Sequence, residues 1–154
     1  MIGFAAAPAG PLVLLVEDSA GDVLLTQEAF REVNARVCLE VVSDGLQAMA
    51  YLRRIAPAGG ASWPDIILLD LNLPGIDGNE VLARIKADEI LKVIPTIILS
   101  TSSAEADIVK SYQLQANCYL SKPLRFDDFE ALVKSINDFW LTRARLPVPE
   151  LCDE

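Results

Sequence analysis

Short apolar runs alternate along the chain with longer amphipathic stretches. Leu12 to Val16 is unbroken and ends at Glu17-Asp18; Ile66-Ile67-Leu68-Leu69 and Ile97-Ile98-Leu99 repeat the pattern. Continuous, β-branched runs of this length predict strands buried on both faces, the mark of a parallel sheet. Weaker strands are predicted over 37–42 and 117–121. Helices are predicted over 20–34, 45–55, 78–88, 104–114 and 126–141. The last places Phe126, Phe129, Leu132, Val133, Ile136, Phe139 and Trp140 at spacings of three and four. Five strand–helix repeats predict a doubly wound α/β sheet with right-handed crossovers. The Ala56 to Ser62 stretch, rich in Ala and Gly, reads as an exposed loop.

The polar residues fall at the ends of these strands. Glu17 and Asp18 end the first, Asp70 the third, Ser100 the fourth and Lys122 the fifth. In an open parallel sheet, ligands bind outside the carboxyl ends of the strands, where strand order reverses. With order 2-1-3-4-5 that point lies between strands one and three, and the acids converge there. Carboxylates sharing a pocket repel, so the site calls for a cation, and hard oxygen donors favour Mg²⁺ over Zn²⁺. Such an ion can bridge a carboxylate and a phosphoryl oxygen, with Lys122 as a second positive charge. Ordinary structural roles stay open for each residue alone. Asp70 can cap a strand end, Lys122-Pro123 can be a plain strand exit, and Ser103 is read as the N-cap of the next helix. Asp22 suits the first turn of helix one through the macrodipole. The five positions together make coincidence a poor explanation.

Charge and composition narrow the field. The net charge is -9 with no Lys/Arg run, which argues against nucleic-acid or anionic-membrane partners. No apolar run approaches the roughly 20 residues a bilayer span needs, and the Met1-Ile2-Gly3-Phe4 start lacks signal-peptide features. Cys38, Cys118 and Cys152 form no CxxC, so free thiols in a reducing cytoplasm are expected. Histidine is absent. Ser-His-Asp chemistry, histidine metal ligation and a phosphohistidine on this chain are therefore excluded.

These motifs resemble the receiver domains of bacterial two-component systems over about residues 12–141. The matching pieces are Val16-Glu17-Asp18, Asp70-Leu71-Asn72-Leu73-Pro74-Gly75-Ile76-Asp77-Gly78, Ser100, and Lys122-Pro123 after Tyr119. The resemblance implies a flavodoxin-like (βα)5 sandwich with a parallel sheet of order 2-1-3-4-5. It implies that Asp70 accepts a phosphoryl group from a phosphohistidine of a partner sensor histidine kinase. Glu17 and Asp18 would hold Mg²⁺ with Asp70 and the Asn72 carbonyl, and Lys122 would contact the phosphoryl group, its bond to Pro123 being cis. Ser100 and Tyr119 would act as the switch pair. Phosphorylation would then shift a pre-existing two-state equilibrium. A narrower likeness, in Glu17-Asp18-Ser19-Ala20-Gly21-Asp22-Val23, Leu25-Thr26-Gln27-Glu28-Ala29, Ser111-Tyr112, Asn117-Cys118-Tyr119, Val133-Lys134-Ser135-Ile136 and Asp138-Phe139-Trp140-Leu141, is to regulators partnered with bacterial phytochromes.

The expected layout is a leader over 1–11, the domain over 12–141 and a tail over 142–154. Arg125 lacks the small polar side chain of a good N-cap, leaving Asp127 and Asp128 to support the start of the last helix. Output is expected by protein contact, with a homodimer formed through the last helix and an arm at Phe139, Trp140, Leu141 and Leu146-Pro147-Val148-Pro149; the plainer alternative is that this end folds back on its own core. Two other readings compete: a haloacid-dehalogenase-like phosphatase and a scaffold that takes no phosphoryl group. The first wants a general acid two residues after the nucleophile, and Asn72 cannot supply a proton there. A chemotaxis-type regulator with a different kinase is the nearer alternative.

Overall fold

In a sheet covered on both sides, successive side chains of each strand must enter opposite cores. The computed structural model, which describes residues 10–57 and 62–147, divides them in this way. The strands β1 (Leu12–Val16), β2 (Cys38–Val42), β3 (Ile66–Leu69), β4 (Thr96–Ser100) and β5 (Cys118–Ser121) are all parallel, in order β2-β1-β3-β4-β5. Val13, Leu15, Ile66, Leu68, Ile97 and Leu99 face one core, closed by α1 (Ala20–Val33) and α5 (Phe126–Asp138) through Phe30, Phe129, Val133 and Ile136. Leu14, Val16, Ile67, Leu69 and Ile98 face the other, covered by Met49 and Leu52 of α2 (Gly45–Ile55) and Leu82 and Ile85 of α3 (Gly78–Ala87).

The fifth helix in the set, α4 (Glu105–Gln113), is held less firmly. It buries only Ser111, and its N-cap Ala104 offers no side-chain hydrogen bond. The expected N-cap Ser103 lies one residue too early. Ser102 shapes this turn instead: its hydroxyl oxygen accepts from Ala104 N (3.2 Å) and its hydroxyl donates to Asp107 Oδ2 (2.5 Å).

Two further expectations are corrected. The Lys122–Pro123 bond is trans, the form that X-Pro bonds still prefer by roughly 0.5–1 kcal/mol. The last α-helix stops at Asp138 and continues as a single π-helical turn, Phe139–Arg143, so it is shorter than 126–141. This turn folds the chain end back: Trp140, Leu141 and Leu146 pack half-buried on the α1/α5 core, leaving Phe139 exposed with its ring edge-on to Trp140. Such packing removes apolar surface from water within one chain. As expected, Arg125 makes no capping bond at the start of α5. Most of the leader, part of the Ala56 to Ser62 loop, Val148, Pro149 and Cys152 lie outside the described residues.

The helix following Asp70 is seated by backbone contact. A Cβ on Gly78 would stand 2.3 Å from the Asp70 carbonyl oxygen and 2.5 Å from Leu71 Cα, both too close for any side chain. Gly75, at φ 73°, turns the chain between them in the left-handed region that favours glycine. Gly78→Ala is therefore expected to lower stability by about 1–3 kcal/mol through overpacking. Urea unfolding monitored by circular dichroism checks this; Gly21→Ala, where a Cβ meets only Ser19 Oγ at 3.9 Å, should show no such loss.

Candidate functional site

Adjacent strands β1 and β3 bring Glu17, Asp18 and Asp70 together at their carboxyl ends. One carboxylate oxygen from each lies within 4.8 Å of the others. Asp70 N–H continues the ladder by donating to Val16 O (3.1 Å), and Glu17 N–H donates to Val42 O (3.0 Å), so backbone pairing fixes both residues. Asp70 Oδ1 accepts from Asn72 N–H at 3.1 Å, and Glu17 Oε2 accepts from Ser19 N–H at 3.2 Å.

Lys122 reaches this cluster from the end of β5. Its backbone N–H donates to Ser100 O (2.7 Å), which aligns β5 beside β4. Its side chain is only 8 % exposed, and Nζ lies 2.6 Å from Glu17 Oε1, 2.9 Å from Asp22 Oδ2 and 3.4 Å from Asp70 Oδ2. Burial pushes the Glu17 carboxyl up to about 7, even against the hydrogen bond and charge of Lys122. Burial alone would lower the lysine; its hydrogen bonds to Glu17 and Asp22, with the charge of Asp70, hold it above its ordinary value.

Ser100 is fully buried at the end of β4, its hydroxyl oxygen accepting from Ser102 N–H at 3.2 Å. Tyr119 is half-buried against the α2/α3 core, and its hydroxyl donates to Ser102 O at 2.8 Å. The expected switch pair is thus tied to one loop, at Ser102. Asn72 is exposed and contributes its backbone N–H to Asp70. Phe139, Trp140 and Leu141 belong to the π-helical turn that follows α5 and take no part in the acidic pocket.

Asp22 is the residue that sequence reasoning assigned too modest a role. It is the third residue of α1, with its N–H bonded to Ser19 Oγ (3.2 Å). Helical side chains lean toward the helix N-terminus, here the site itself. An acid in the first turn of a helix that starts two residues after the Glu17-Asp18 pair is the available signal.

The donor set tests whether a cation fits. Three carboxylates offer hard oxygens on converging elements, with no thiolate or imidazole among them, which suits a divalent ion of the Mg²⁺ or Mn²⁺ kind. The position of Lys122 points the same way, because a positive charge already sits against two of these three acids.

A model of the response regulator receiver domain matches residues 13–134. The chain belongs to the response regulator receiver domain family. The receiver is 44% identical over 136 residues to response regulator Rcp1 of Synechocystis, spanning 88% of this chain and 92% of that protein. It superposes with a TM-score of 0.83 on the phosphorylated cyanobacterial phytochrome response regulator RcpA, at 48% identity and covering 90% of this chain and 99% of that one. The Mn²⁺-bound form of Rcp1 gives a TM-score of 0.78 at 44% identity, covering 89% and 99%. The receiver is therefore a signalling module of two-component type, with a histidine kinase as the implied partner and an acidic pocket fit for a divalent metal. Among the described residues, no helix is long and apolar enough to cross a membrane.

Lys122→Met leaves Glu17 and Asp70 buried without their counter-charge. Stability without metal should fall by up to about 3–5 kcal/mol, as for a broken buried ion pair. Thermal melts with and without Mg²⁺ check this: the ion should raise the variant's midpoint more than that of the natural chain.

Proposed function

We propose that this receiver accepts a phosphoryl group on Asp70 from a phosphohistidine of a phytochrome-type sensor kinase, with Mg²⁺, and signals by protein contact. The convergence of Glu17, Asp18, Asp70 and Lys122 at the β1/β3 switch point carries this reading. One carboxylate oxygen of Asp70 attacks phosphorus, the phosphorus–nitrogen bond breaks, and the kinase imidazole leaves. Glu17, Asp18 and Asp70 would hold the metal with the Asn72 carbonyl, and the bound ion supplies charge neutralisation for the transferring group. Lys122 offers a point charge to a phosphoryl oxygen. Ser100 and Tyr119 act as the switch pair through their shared attachment to Ser102.

The pairing with a phytochrome kinase rests on the likeness to RcpA and Rcp1; with no histidine on this chain, the donor phosphohistidine belongs to another protein. The reading carries a cytoplasmic setting, in keeping with the free thiols Cys38 and Cys118. A homodimer through the last helix completes the proposal. Its support is Phe139, 56% exposed at the turn that ends α5. The domain bounds 12–141 accompany this reading.

With Mg²⁺ and acetyl phosphate, the chain should gain one labile phosphoryl group. Asp70→Asn or EDTA should abolish the gain, read by intact-mass spectrometry and phosphate-affinity gels. Sustained hydrolysis of phosphomonoesters would instead favour the phosphatase, and no incorporation the scaffold. For the dimer, Phe139→Asp should shift sedimentation toward the monomer; an unchanged coefficient would remove Phe139 from the interface, and with it the support for the dimer.

A further inference from the structure

Lys122 bonds two kinds of carboxylate. Glu17 and Asp70 belong to the three-acid cluster that fits a cation, whereas Asp22 lies outside it. A divalent ion drawn to the Glu17 and Asp70 carboxylates meets an ammonium already placed 2.6 Å from Glu17 Oε1 and 3.4 Å from Asp70 Oδ2. Two like charges in one poorly hydrated pocket repel strongly. Repulsion drives the lysine away from the ion, and the anion available to receive it bears on how readily the ion enters.

We propose that Asp22 is a positioning residue that retains the Lys122 ammonium when a divalent cation takes the Glu17 and Asp70 oxygens, and so sets the affinity of the site for that cation. This rests on Glu17, Asp18 and Asp70 being the cation site. Asp22 is built for such a part. Its N–H is held by Ser19 Oγ at 3.2 Å, and its carbonyl accepts from the buried Thr26 hydroxyl at 2.7 Å, so the residue itself stays in place. Its side chain is 37% exposed, against 3% for Glu17, so an ammonium drawn toward it regains water while keeping a charge-assisted bond. Lys122 is anchored through its backbone to Ser100 O, and only its flexible stem needs to swing.

The rival account makes Asp22 a helix-terminal charge that attracts any cation through space, with no dependence on Lys122. Calorimetric titration of the full chain with Mg²⁺ separates the two. Asp22→Asn keeps the backbone bonds and should weaken Mg²⁺ binding by about three- to tenfold, the scale of coupling between neighbouring charges. Asp22→Glu should recover most of the loss. With Lys122→Met already in place, Asp22→Asn should change the affinity by less than about twofold, because the coupling partner is gone. An equal loss in both backgrounds, or none in the natural one, overturns the proposal. If the natural chain fails to bind millimolar Mg²⁺ at all, the cation reading fails and takes the proposal with it; binding that is indifferent to Asp22 sinks the proposal alone.

Discussion

Carboxylates crowded at one edge of a sheet repel one another, and Lys122 is the cation this chain sets against that repulsion. An isolated acid as buried as Glu17 takes up a proton sooner than it keeps its charge. The ammonium at 2.6 Å opposes that tendency, while burial still holds the Glu17 carboxyl near 7. The pocket is thus balanced between a proton, an ammonium and a metal ion, each able to answer the same negative charge.

Strand order decides which residues share the competition. The neighbours β1 and β3 deliver the three acids, and β4 and β5 bring Ser100 and Lys122 alongside. Helix starts then sharpen the geometry. The opening turn of α1 adds Asp22, and the Gly78 contact seats α3 against the carbonyl of Asp70. The two apolar cores hold these edges still, because strands buried on both faces have little freedom to shift register.

The sheet and its helices were legible in the sequence because their cause is local. Unbroken apolar runs such as Ile66-Ile67-Leu68-Leu69 have no other economical reading, and acids at strand ends led directly to Glu17, Asp18 and Asp70. Contacts between elements were harder to see. Asp22 carried an adequate local explanation as a first-turn charge, so its bond to Lys122, 100 residues away, stayed hidden. Capping preference points to Ser103, yet the cap position falls on Ala104 and Ser102 satisfies the turn. At the far end, Phe139 and Trp140 keep the three-and-four spacing of the residues before them, so the pattern carries an α-helix to 141. It cannot show the π-helical turn that folds Trp140 and Leu141 onto the α1/α5 core.

The light attachment of α4 has a consequence for how a message could leave this domain. A helix with one buried side chain and no side-chain cap opens at a small fraction of the global unfolding free energy, so its amides should exchange with solvent early. The loop before it carries Ser102, to which both Ser100 and Tyr119 are tied. Softness is therefore unevenly distributed. A rigid reaction chamber borders a compliant neighbour, and a change worth only a few hydrogen bonds can reshape the outer surface while the cores remain as they were.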